Sequence, residues 1–127
     1  MFEVRVYRGR EVFDAGLAGR VVEFDRRNMR RVWERAGMEF PEANRRKGLE
    51  GGPTFVVAFE GREIAGYVEY LRSWNDPRYI YVGSLQIDER HRHSTLILRL
   101  LDEFRSLASR SSTAGARDSR AAETPDA

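Results

Sequence analysis

A chain of 127 residues, 41% of them hydrophobic, holds core material for one small domain and too little for two. The 20 acidic residues against 22 basic ones leave a formal net charge of +2, too even to indicate nucleic acid as a partner, and no run nears the roughly 20 apolar residues that cross a bilayer. Cysteine is absent, which excludes disulfides and thiolate chemistry and makes cytoplasmic residence the default.

The opening MFEVRVYRGREVF alternates apolar and charged residues, which suits a strand with one buried face and lacks the apolar run of a secretion signal. A short helix is expected over 10–18, interrupted by Gly16 and Gly19, and an amphipathic helix over 19–36. The second helix carries a stripe of Val21, Val22, Asp25, Met29, Val32, Trp33 and Ala36, with arginines opposite. All basic residues but Lys47 are arginine, read here as coding bias on a solvated face.

MEFPEANRRKGLEGGPT reads as a long connection with a helical turn near 42–47. TFVVAF and REIAGYVEYL then flank Glu60 and Gly61, the mark of a hairpin, and SWNDP at 73–77 turns the chain into a third strand, YIYVGSLQI. The three form an antiparallel meander, so the fold class is α+β, a mainly antiparallel sheet flanked by helices.

After the strand end Leu85 to Ile87 comes the cationic loop DERHRH, then a helix over 94–108. Its apolar face is Ile97, Leu100, Leu101, Phe104, Leu107 and Ala108, and Ser94 or Thr95 can cap it. Residues 109–127 contain no aromatic residue and no Leu, Ile, Val or Met, and are expected to form a flexible polar tail. A strand running directly into a helix aims the helix's first N–H groups at one point, where a phosphate would gain charge-assisted hydrogen bonds. Arg90, His91, Arg92 and His93 are expected to crowd that point.

The order of elements resembles the first two thirds of the GNAT superfamily of N-acetyltransferases. "GREIAGYVEY" at 61–70 is similar to that family's hairpin, and "LQIDERHRHSTLILRLLDEF" at 85–104 to its cofactor motif. Leu85, Ile87, Asp88, Arg92, Leu100 and Leu101 match residue by residue, while His93, Thr95 and Ile97 stand where the family has glycines. The resemblance implies acetyl-coenzyme A (acetyl-CoA) as donor and the amine of a small molecule or peptide as acceptor. It implies cofactor contacts over Gln86, Ile87, Arg92, His93, Ser94, Thr95, Leu96 and Ile97. An oxyanion donor would come from the main chain around Gln86 and Ile87, at a bulged strand end.

In such folds the acceptor side is bordered by the helix that carries Asn28, Arg31 and Trp33 here. Glu69 is the candidate catalytic base, although an exposed strand glutamate is the simpler reading of that position. The resemblance spans about residues 1 to 108, a truncated GNAT-like domain, since the family's later strands and helix have no counterpart in the tail. Impaired activity is therefore part of the expectation. The alternative is a non-catalytic module that self-associates, as a homodimer, through an open sheet edge. His91 and His93 lack a third ligand for a metal, and no nucleophilic triad is present.

Overall fold

In the computed structural model, which describes the backbone of residues 2–122 and the side chains of residues 2–109, Phe2–Tyr7 forms strand β1. Three short helices follow, α1 (Glu11–Asp14), α2 (Ala18–Asn28) and α3 (Arg30–Arg35). Helix α4 (Glu42–Glu50) then leads to strands β2 (Thr54–Glu60), β3 (Glu63–Arg72) and β4 (Ile80–Ile87). A 3-10 turn at Glu89–His91 precedes helix α5 (Leu96–Ala122).

The strands lie in the order β1-β2-β3-β4, all antiparallel, which is the α+β meander that the sequence predicts. Gly61 takes φ +62° at the β2–β3 turn, a conformation that L side chains rarely adopt. Two bulges interrupt the ladders. Phe59 faces Ile64 and Ala58 faces Gly66, so Ala65 is an extra residue of β3, and Glu69 faces Ser84 while Tyr70 faces Val82, so Gly83 is an extra residue of β4.

Because strand side chains alternate, the sheet feeds two cores. On one face Phe55, Val57 and Tyr67 pack with Val12, Val21, Val22, Phe24 and Leu49 from α1, α2 and α4. On the other, Val56, Ala58, Val68, Tyr70 and Ile87 pack with Leu96, Leu100 and Leu107 of α5. Each fully buried leucine there contributes about 1.5–3 kcal/mol of hydrophobic stabilisation. Gly66 lets β3, β4 and α5 close together: a Cβ at that position would stand 2.8 Å from the Gln86 carbonyl oxygen and 2.9 Å from Ile87 Cδ1.

Four expectations need correction. The helix over 19–36 is broken at Met29 (φ −106°, ψ 11°), because Asn28 turns aside to bond residues of β4 and the following loop. Beyond the break the apolar stripe fails, and Val32 is 57% exposed. The first short helix is only α1, while α4 is a full helix rather than one turn. Helix α5 continues past Ala108 to Ala122. The tail expectation falls largely on side chains beyond residue 109 and on residues 123–127, which lie outside the described residues.

Candidate active site

Strand β4 is an edge strand, and the direction of its peptide groups decides what that edge offers. The Gln86 carbonyl lies against Gly66 of β3, and the Asp88 N–H donates to Ala65 O at 2.8 Å, so the amides of 86 and 88 face inward. Alternation then turns the N–H and C=O of Ile87 off the free edge. The contact of Arg92 Nε with Ile87 O, at 3.1 Å, lies on that outward side. Of the two residues expected to supply an oxyanion donor, Ile87 therefore has the outward amide and Gln86 does not. The strand bulge falls at Gly83, not at this end.

The loop beyond Ile87 is held by its own hydrogen bonds. Asp88 is buried and caps the 3-10 turn, its Oδ1 accepting from Arg90 N at 2.9 Å. Burial alone would raise its carboxyl pKa. The side-chain and backbone hydrogen bonds from Arg90, with the charges of Arg90 and Arg27, outweigh burial and hold it below the usual carboxylate range. Ser94 Oγ donates to His91 O at 2.6 Å and accepts from Leu96 N at 3.2 Å, which satisfies the first amide of α5. The N–H groups of Thr95, Ile97 and Leu98 come before the first helical bond, Arg99 N to Thr95 O, and open the helix without an intrahelical acceptor.

The cationic crowd expected here is dispersed. Arg90 turns back to Asp88, and His91 packs its ring edge-on to Phe2 at 5.1 Å and meets Glu60 Oε1 at 3.1 Å. Arg92 reaches across to α2, its Nη2 donating to Asn28 Oδ1 at 3.0 Å and Asn28 O at 3.4 Å. His93 and Thr95 are exposed, Leu96 is a core residue, and Ile97 keeps 36% of its surface exposed. Side chains that replace glycine at 93, 95 and 97 thus stand out from the core, and the amides beneath can still meet an anion. The residues present fit a pyrophosphate at this helix start.

Polar groups continue along the helical face of the sheet. Asn28 Nδ2 donates to Gln86 Oε1 at 2.9 Å, and Gln86 Nε2 reaches Ser84 Oγ at 3.4 Å. Deeper, Arg45 of α4 joins Asp25 Oδ2 at 2.6 Å through Nε, Glu69 Oε2 at 3.0 Å through Nη1, and the Tyr67 hydroxyl at 3.0 Å through Nη2. Tyr67 in turn donates to Asp25 Oδ1. Burial opposes the Arg45 charge, and the bond to Glu69 with the nearby Tyr67 and Asp25 more than reverses that, raising its pKa. Burial, reinforced by the Asp25 charge, raises that of Tyr67.

Glu69, expected on an exposed strand face, is 7% exposed and bridged by Arg45. Its carboxylate faces the Arg45 guanidinium on the α4 side of the sheet, with Glu69 Oε1 2.8 Å from Arg45 Nη2. Of the residues expected to border the acceptor, Asn28 and Arg31 line one cleft of about 560 Å³ between α3 and the end of β4, together with Gln86 and Arg92, and Trp33 is not among its lining residues. Sequence reasoning missed Asp25, Arg45 and Tyr67 as a unit. Asp25 gave the available signal, a charge within an apolar stripe.

An antiparallel meander whose edge strand turns one amide outward and feeds an anion-ready helix start defines an acyltransferase-type fold. A model of the GNAT acetyltransferase family matches residues 19–117, and the chain belongs to that family. Solved structures agree on the fold. A protein described as a possible acetyltransferase from Clostridium difficile 630 superposes with TM-score 0.61 at 16% identity, over 84% of this chain and 70% of that one. An aminoglycoside acetyltransferase from an uncultured soil metagenomic sample gives 0.58 at 21% identity, over 88% and 74%. An acetyltransferase from Thermus thermophilus gives 0.56 at 20%, over 81% and 68%. No curated protein matches the sequence.

Proposed function

We propose that residues 1 to 108 form a domain that transfers an acetyl group from acetyl-CoA to an amine. The observation that carries this reading is the outward N–H of Ile87 together with the amides that open α5 without an intrahelical acceptor. The main chain at Thr95 and Ile97 would hold the pyrophosphate, with His93 and Ser94 around it and Leu96 anchoring the helix. When bound, acetyl-CoA supplies the thioester carbon on which the amine nitrogen forms a C–N bond as the C–S bond breaks. The Ile87 amide would donate to the thioester oxygen while negative charge builds on it, before coenzyme A leaves as its thiolate. Among the residues lining the cleft, Glu89 is the one carboxylate, with a side chain 63% exposed, and it would accept the amine proton. No described helix is long and apolar enough to cross a membrane, and the lack of cysteine favours the cytoplasm.

The test is calorimetric titration of acetyl-CoA into the full chain, paired with an assay of thiol release in the presence of amines. Saturable binding and amine-dependent thiol release are expected; absence of heat at high ligand concentration would overturn the reading. A second reading is favoured by the free edge of β4, where Tyr81, Val82 and Leu85 are exposed, as are Leu98 and Leu101 of α5. On that reading the domain is a non-catalytic module that pairs with a second copy. Light scattering decides it, since a monomer at all concentrations would dismiss pairing.

A further inference from the structure

The acceptor cleft is far more cationic than the chain around it. Its walls carry Arg27, Arg30, Arg31, Arg35 and Arg92 against one acidic residue, Glu89, in a protein whose net charge is +2. Three of these arginines have carboxylate neighbours: Arg27 meets Asp88 at 3.3 Å, Arg30 meets Glu34 at 3.4 Å, and Arg31 meets Glu89 only at 3.9 Å. Arg35 and Arg92 have no carboxylate partner among the described residues. Coding bias would scatter arginine over the surface, whereas these five converge on one concavity from two sides, α2 and α3 on one and the loop after β4 on the other.

Arg92 is also oriented. Its Nε and Nη2 are taken by Ile87 O and by Asn28, which leaves Nη1 free to donate. A guanidinium fixed along one edge meets a carboxylate or phosphate with little loss of conformational entropy. The cleft, about 560 Å³, is of a size that takes a small ligand.

On the reading that this cleft receives the acceptor, we propose that the acceptor is anionic: a small amine that also carries a carboxylate or phosphate, held by Arg31, Arg35 and Arg92. Its negative end lies among the guanidinium groups, and its nitrogen is directed toward the outward amide of Ile87. Polycationic amines are repelled.

The test is a nuclear magnetic resonance titration of the isotope-labelled full chain with L-glutamate, O-phosphoethanolamine, ethanolamine and spermidine. Both anionic probes are expected to shift signals of Arg31, Arg35 and Arg92, binding at least about tenfold more tightly than ethanolamine and weakening with salt. The stronger of the two identifies carboxylate or phosphate as the preferred group. A double variant, R31Q with R35Q, changes two exposed side chains; it should lose about tenfold in affinity for the anionic probes while acetyl-CoA titrates unchanged. Equal or tighter binding of ethanolamine or spermidine would overturn the proposal. So would displacement of the anionic probes by acetyl-CoA, because the cleft would then belong to the cofactor's phosphates. Loss of acetyl-CoA binding alone would sink the transfer reading and leave the ligand class of the cleft standing.

Discussion

The two faces of the sheet solve the same packing problem by different chemistry. Against α5 the contacts are apolar, with Leu96, Leu100 and Leu107 set on Val56, Val68 and Tyr70. Against α2 and α4 a buried guanidinium stands among two carboxylates and a phenol, Arg45 with Asp25, Glu69 and Tyr67. Apolar contact is tolerant of direction, whereas a buried ion cluster holds only one geometry. The polar face is the one whose hydrogen bonds continue through Ser84, Gln86 and Asn28 to the cleft, so the difference teaches where the fold puts its directional bonding.

Replacement of Arg45 by Met breaks the polar face and should have the largest effect. It leaves Asp25 and Glu69 as buried charges without a cation and costs about 3–5 kcal/mol, measured by denaturant unfolding. If Asp25 and Glu69 are also replaced by Leu, most of the loss should return, because no uncompensated charge is left. Failure of that rescue would show the cluster to be stabilising in itself.

On the apolar face, Leu100→Ala should cost about 3 kcal/mol through the cavity it opens, without changing acetyl-CoA affinity by much. Gly66→Ala sits where that face meets β4 and should cost about 2 kcal/mol, since its Cβ would press on the Gln86 carbonyl. Because that carbonyl belongs to the strand that carries the Ile87 amide, thiol release should fall more than stability does. Equal effects would separate Gly66 from the site.

The smallest effect concerns pH. The folded-state pKa of Asp88 is depressed, so its contribution is present above the unfolded carboxylate value and is lost as pH falls through the lower folded one. Asp88→Asn should therefore reduce stability at neutral pH by about 1 kcal/mol and flatten the acid limb of the stability curve. An unchanged acid limb would mean that other carboxylates set it.

The sequence displayed the sheet well because strand alternation and turn residues are local. Gly61 and SWNDP each marked a turn that the structure places within a residue or two. The break at Met29 was hidden, since its cause is the bonding of Asn28 to residues 58 and 64 positions away. Glu69 was misjudged for the same reason: its partner Arg45 lies in a stretch that reads as a connection. Matching Leu85, Ile87, Asp88 and Arg92 located the candidate site, but it could not tell which peptide N–H faces outward. That depends on the pairing of Tyr67 with Gln86.

Arg92 ties the last residue of α2 to the last residue of β4 with a single guanidinium. It acts as a caliper. The gap between the wall that would receive one reactant and the strand that would activate the other is set by the length of one side chain, not by whatever enters first. Exchange for lysine, which has no planar fork, would leave the two jaws free to drift apart.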